Sequence, residues 1–121
     1  MSNSNRTGAA GERIAIEYLR AQGYTIVDRN WSTIVGELDI VAKRDDQLVF
    51  VEVKTRRGFS TESALEAVTA AKHERTLKAV YQYLHEHDID AESGWRIDVI
   101  GVALAANGRT RIDHVEDAFD W

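Results

Sequence analysis

Few folds accommodate the stretch from Gly36 to Lys54, GELDIVAKRDDQLVFVEVK, because two alternating runs are separated by only the polar residues Lys43 to Gln47. Side chains alternate along a strand. In the second run Leu48, Phe50, Glu52 and Lys54 therefore share one face and Val49, Val51 and Val53 the other. Apolar residues on both faces predict a strand covered from both sides. In the first run Glu37, Asp39 and Val41 share a face, with Leu38, Ile40 and Ala42 opposite. So short a polar break predicts an antiparallel hairpin. With its turn centred on Asp45 and Asp46, Asp39 falls opposite Glu52. A slip of one residue would send the two carboxylates to opposite faces.

Like charges facing each other cost up to about 1 kcal/mol even in ordinary sheets, and more where the dielectric is low. A positive group is therefore expected beside Asp39 and Glu52. Lys54, two residues along the same face as Glu52, is one source, and a divalent metal is the other. Oxygen ligands with room for water and a phosphate suit Mg2+ or Mn2+ better than zinc. The plainer reading is that Glu52-Val53-Lys54 is a solvated alternation on a half-exposed sheet, since such triplets are common.

The chain of 121 residues is expected to form a single domain over residues 1–121, with 1–7 as a polar lead. It contains no cysteine, which excludes disulfides, thiolate zinc sites and a cysteine nucleophile. The first residues lack an apolar signal core and no run approaches about 18 apolar residues, so a cytoplasmic protein without a membrane partner is expected. The net charge of −5 is unevenly spread: residues 1–87 hold 12 basic and 12 acidic residues, residues 88–121 hold 3 and 8. Lys54, Arg56, Arg57, Lys72, Arg75 and Lys78 form a local basic group, which matters more for nucleic-acid binding than the sum.

Taken in order, the periodicity predicts a helix from about Gly8 to Gln22, stopped by Gly23. Glu12 near its start is either a favourable charge at a helix N-terminus or a site acid. Tyr24 to Asn30 reads as a strand, with a break from Asn30 to Thr33. Arg29 there is suited to phosphate or to pairing with Asp28. After the hairpin, Arg56 to Ser63 reads as a mobile loop. Ser63 with Glu66, or Thr69, would cap a second helix reaching about His87, with Leu77, Val80, Tyr81 and Leu84 as its buried stripe. On that helix Lys72, Arg75 and Lys78 fall off the stripe, as phosphate ligands or as a solvated face. Trp95 to Leu104 is a further strand and residues 110–116 an edge strand. Asp98 inside that run is expected to pair with Arg96 or Lys54, and His73, His85, His87 and His114 to lie on the surface. The order is α-β-β-β-α-β(-β), an α/β mixed sheet flanked by helices.

Asp39 followed by Glu52-Val53-Lys54 resembles the PD-(D/E)xK nuclease superfamily and its restriction-endonuclease-like fold. More closely, Gly11-Glu12, Gly23-Tyr24, Arg29-Asn30-Trp31, Gly36 to Ala42, Leu48 to Arg56, and Glu66 to Thr69 with Lys72 resemble the YraN-like family of predicted nucleases, distantly similar to archaeal Holliday-junction resolvases. No proline precedes Asp39, Ala70 stands where relatives often have proline, and Gly58-Phe59 reverses the order many relatives show. The resemblance implies metal-site roles for Asp39 and Glu52, charge stabilisation or water orientation by Lys54, and a supporting acid in Glu12.

The expectation is a metal-dependent endonuclease. Asp39, Glu52 and the Val53 carbonyl would hold Mg2+ or Mn2+, while Arg29, Arg56, Arg57, Lys72 and Arg75 would hold nucleic-acid phosphates. DNA, structured or branched, is expected over RNA, and a homodimer is left open. The alternatives are a non-catalytic nucleic-acid-binding module and an interaction domain using the acidic tail with Phe119 and Trp121.

Overall fold

The polar break between the two runs closes as a tight hairpin turn. Asp45 and Asp46 take φ values of 51° and 66°, the left-handed pair that two-residue hairpins with the right twist require and that aspartate tolerates. The structure, a computed structural model, describes residues 3–58 and 70–118. Its elements are α1 (Asn3–Ala21), β1 (Thr25–Ser32), β2 (Glu37–Arg44), β3 (Gln47–Arg57), α2 (Ala70–Glu86), β4 (Arg96–Leu104) and β5 (Thr110–Val115). The strands form one sheet in sequence order. All neighbours are antiparallel except β3 and β4, which run parallel across the connection that carries α2. This is the mixed α/β arrangement expected from the sequence, with both helices packed on the sheet.

Each helix covers one face. Ala15, Ile16 and Leu19 of α1 pack with Ile40, Ala42, Val49, Val51, Ile100 and Val102. Ala79, Val80, Tyr83 and Leu84 of α2 pack with Val41, Phe50, Ile97 and Val99. The alternation in β3 is thus read out as two cores, one on each side of the sheet.

Several boundaries differ from expectation. The polar lead is helical from Asn3, so α1 begins before Gly8. It ends as anticipated: Gly23 has φ 93°, and Tyr24 N–H donates to Leu19 O while Gly23 N–H donates to Arg20 O, a Schellman closure. Strand β1 continues through Trp31 and Ser32 instead of breaking at Asn30, because Asn30 takes a φ of 52° and the pairing resumes beyond it. Arg56 and Arg57 belong to β3, where they pair with Ala103 and Leu104, and are not loop residues. Residues 59–63 of that expected loop, the Ser63–Glu66 and Thr69 caps, and Phe119 and Trp121 lie outside the described residues.

On α2 the buried tyrosine is Tyr83, not Tyr81. Thr76, Ala79, Val80, Tyr83 and Leu84 are buried at the three- and four-residue spacing of one helix face. Tyr81 lies off that face, 50% exposed, with its ring edge-on to Trp95.

Asp98 is wholly buried and, of the two cations offered for it, takes Arg96, whose Nε donates to Oδ1 at 2.9 Å. His114 is a correction: it is not a surface residue. Its Nε2 lies 2.7 Å from Asp98 Oδ2, its Nδ1 lies 3.1 Å from the Tyr18 hydroxyl, and Asp117 N–H donates to Asp98 Oδ1 at 2.9 Å. Burial alone would raise the Asp98 pKa, but the hydrogen bonds from His114, Arg96 and the Asp117 backbone hold it below the usual carboxylate range. The stabilisation from this charge is present above the ordinary carboxylate pKa and is lost as pH falls through the lowered one. Asp98→Ala removes the acid shared by Arg96 and His114 and leaves the half-buried guanidinium only one acid, Glu116, 3.6 Å from its Nη2, so denaturant unfolding is expected to show a loss of about 1.5–3 kcal/mol at neutral pH, the scale of hydrogen bonds to a charged group.

Candidate functional site

The site is set by how closely α1 can approach the sheet. A Cβ on Gly11 would land inside the Thr55 side chain, so only glycine permits this contact between α1 and β3. The next residue, Glu12, is thereby brought to the end of the sheet where β2 and β3 separate.

The β2–β3 ladder runs from Arg44↔Gln47 to Ile40↔Val51 in the register anticipated from the turn. Beyond Ile40 the carboxylate of Asp39 takes over: its Oδ2 accepts from Val53 N–H at 2.9 Å, where a strand carbonyl would otherwise sit. On the other side Arg29↔Ile40 and Trp31↔Leu38 bracket Asn30 and Asp39, and Asn30 carries its positive φ at that point. Leu38 packs with the α2-side core, whereas Ile40 and Ala42 pack on the α1 side. The expected grouping of Leu38 with Ile40 and Ala42 therefore fails, because alternation breaks at Asp39.

Glu52 is 5% exposed and fully engaged. Its Oε1 lies 3.2 Å from Lys54 Nζ and 3.0 Å from Lys72 Nζ, and Thr76 Oγ1 donates to Oε2 at 3.3 Å. The expected counter-charge is thus supplied by two lysines, one from the same strand and one from α2.

Asp39 is different. Its pKa is pushed up to about 7, first by burial and then by the charge of Glu52, with Glu37 and Glu12 adding to it; only the Val53 N–H opposes. The Glu12 carboxyl is also raised by burial, offset by a hydrogen bond from Asn30 and by the charge of Arg29. Four acids from α1, β2 and β3 consequently influence one another at this spot. Among the described residues no three histidine or acidic side chains already converge as a closed metal cage.

Two clefts meet here. An open groove of about 1070 Å³ on the α1 side is lined by Glu12, Arg13, Arg29, Asn30, Glu37, Asp39, Val53, Lys54, Arg56 and Arg57. A smaller one of about 460 Å³ on the α2 side is lined by the β1–β2 turn with Glu37, Asp39, Glu52, Lys72 and Arg75. Glu37 and Asp39 face both. The structure therefore gathers Glu12, Asp39, Val53 and Lys54 in one groove with Arg29, Arg56 and Arg57, and sets Glu52, Lys72 and Arg75 along the other. Arg29 does not settle on Asp28 by its side chain; only its backbone N–H donates there, at 3.0 Å. Sequence reasoning did not single out Arg13, Asn30, Glu37 or Thr76. Arg13 beside Glu12, and Glu37 two residues before Asp39, were open to the same face argument. Nothing local marks Thr76 as the partner of Glu52, and Asn30 depends on a backbone conformation.

A mixed sheet between two helices, with an acid and a Glu-x-Lys element on neighbouring strands, is the restriction-endonuclease-like arrangement. The chain belongs to the uncharacterised protein family UPF0102, whose model matches residues 11–102. UPF0102 proteins of Chloroflexus aurantiacus, Myxococcus xanthus and Bacteroides thetaiotaomicron are 48%, 42% and 43% identical to it over 109, 113 and 119 residues. These alignments cover 90%, 93% and 98% of this chain and 87%, 88% and 96% of those proteins. Among solved structures, SfsA of Pyrococcus furiosus in complex with Ca2+ aligns with a TM-score of 0.40 and 13% identity, over 98% of this chain and 65% of that one. A likeness of that size supports no assignment. No helix among the described residues is long and apolar enough to cross a membrane.

Because Asp39 titrates near 7 when folded and near 4 when unfolded, the folded state holds the extra proton between these values, and stability falls as pH rises through that window. Asp39→Asn keeps an acceptor for Val53 N–H and removes the charge. In EDTA its Tm is expected to exceed that of the wild type at pH 8, the gap closing toward pH 4, as read by thermal unfolding across pH.

Proposed function

We propose that this protein is a metal-dependent endonuclease that hydrolyses nucleic-acid phosphodiester bonds, with DNA as its substrate. The observation that carries this reading is Asp39: a half-buried carboxyl pushed up to about 7, hydrogen-bonded only to a backbone N–H in the described structure, lining a groove that four arginines also line. A charge so placed is more favourable with a cation beside it.

The donors suit a hard divalent ion. Asp39, Glu52 and the Val53 carbonyl offer oxygen alone, and Mg2+ or Mn2+ accepts one or two carboxylates with water and phosphate oxygens completing the set. A bound ion of this kind would polarise the scissile phosphate and lower the pKa of an attacking water. The chain's own groups do the remainder. Lys54, held 3.2 Å from Glu52 Oε1, stands ready to stabilise charge developing on the phosphate. Glu12, its carboxyl raised by burial, acts as the supporting acid. Arg29, Arg56 and Arg57 on the α1 side, and Lys72 and Arg75 on the α2 side, hold backbone phosphates, contacts that position a substrate without reading its sequence.

One observation favours a second reading. Glu52 is already satisfied by two lysines and a threonine, as a structural carboxylate would be, and that suits a binding module without turnover. The two readings part on a single comparison. Wild type, Asp39→Asn and Glu52→Gln are assayed on labelled duplex, single-stranded, flap and four-way-junction DNA with Mg2+, Mn2+ or EDTA. Metal-dependent cleavage by the wild type is expected to fall by at least about 100-fold in either variant, the scale at which a positioned charge acts on a transition state. Binding without cleavage across the panel would favour the module; equal cleavage by all three would mark a contaminant. Replacing Arg56 and Arg57 together by alanine is expected to flatten the slope of log affinity against log salt by about 2, since each phosphate contact contributes about 1.

A further inference from the structure

The turn joining β1 and β2 carries the most exposed large hydrophobic side chain among the described residues. Ile34 is 106% exposed and its neighbour Val35 40%. Both line the α2-side cleft with Asp39 and Glu52. The other exposed large hydrophobics among the described residues, Val27, Tyr81 and Val115, line neither cleft.

We propose that the Thr33–Gly36 tip is an apolar wedge that packs against an unstacked base beside the scissile phosphate, so that the protein selects nucleic acid with a junction between paired and unpaired strands. The inference rests on the nuclease reading and adds the substrate class to it.

The tip is held in place, not loosely presented. Thr33 N–H donates to Gly36 O at 2.8 Å, and Thr33 Oγ1 accepts from Val35 N–H at 3.2 Å and Gly36 N–H at 3.3 Å. Gly36 sits so close to α2 that an added Cβ would lie 2.7 Å from Arg75 O. The two apolar side chains are therefore carried by a hydrogen-bonded turn packed against α2, on the wall shared with Lys72 and Arg75. That wall presents charge to phosphate and hydrocarbon to something else on the same ligand. On an intact duplex the base faces are stacked and covered, and the apolar surface left exposed is small, chiefly thymine methyl groups. The base faces open at a nick, fork or branch, where unstacking costs least, and side chains such as isoleucine and leucine are the wedges that enter such steps. Two side chains are far too small a patch for a stable pairing of two copies, which needs about 800 Å² from each partner, and the acids beside them disfavour a lipid surface.

The test uses the whole protein carrying Ile34→Ser and Val35→Ser, which leave the Thr33 and Gly36 hydrogen bonds intact. Binding is read in EDTA by fluorescence anisotropy on an intact duplex and a fork of equal length, with a fluorescent adenine analogue at the first unpaired position. The wild type is expected to prefer the fork and to change the analogue's emission. The double variant is expected to lose about tenfold in fork affinity, the scale of burying one aliphatic side chain, with duplex affinity unchanged and the emission change gone. Equal losses on both substrates, no loss on either, or a shift from dimer to monomer in size-exclusion chromatography would overturn the proposal. The readout requires no cleavage, so a fork preference that persists in a protein without metal-dependent activity would overturn the nuclease reading and leave the wedge standing.

Discussion

A carboxylate carried into a strand that is covered on both faces survives there only with its counter-charges in place, and Glu52 organises the structure around that need. Lys54 arrives from the same strand, two residues on, while Lys72 and Thr76 arrive from α2. The first turns of α2 are therefore tied to the centre of the sheet before its apolar stripe begins. The stripe then continues through Ala79, Val80, Tyr83 and Leu84 over Phe50 and Ile97. Asp39, a neighbour across the strand pair, receives no ion pair among the described residues, and desolvation first, then the charge of Glu52, raises its pKa. One acid is compensated by two lysines and the other by a single backbone N–H.

What the sequence reveals of this follows from how local each constraint is. The β2–β3 register was legible because a two-residue turn at Asp45 and Asp46 leaves one pairing, and Ile40↔Val51 obeys it. Element order was legible from alternation and helical spacing. The sequence places Tyr81 on the buried face of α2 because two tyrosines two residues apart fit the apolar periodicity almost equally, and only packing between Trp31 and Phe50 selects Tyr83. His114 looks like a surface residue in the sequence because its partners lie 16 and 96 residues away in the chain. No spacing rule joins residues so remote. The break in alternation at Asp39 likewise depends on Asn30 on another strand, whose left-handed backbone has no unambiguous mark in the sequence.

The basic residues illustrate the same limit. Arg56, Arg57, Lys72 and Arg75 look like one cluster along the chain, yet the sheet divides them. Arg56 and Arg57 end β3 on the α1 side with Arg29 and Arg13, whereas Lys72 and Arg75 belong to the α2 side. Asp39, lining both clefts, is the place where the two basic walls meet. An overall charge of −5 does not prevent this, since interactions between exposed charges fade over roughly one Debye length of about 8–10 Å, and the acidic surplus is carried by residues 88–121.

The parallel pairing of β3 with β4 joins positions as far apart as Val49 and Arg96, whereas β1, β2 and β3 are joined by short turns. Closing the longer loop costs chain entropy that the local hairpins do not incur. The segment spanning that loop also contains Lys72 and Thr76, the groups that make burial of Glu52 tolerable. Zipping β4 onto β3 and neutralising Glu52 are consequently coupled: the strand cannot be covered cheaply until the helix that brings the charge has docked. Docking of α2 and the covering of Glu52 are thus energetically linked, so this part of the sheet gains its cover and its counter-charges together.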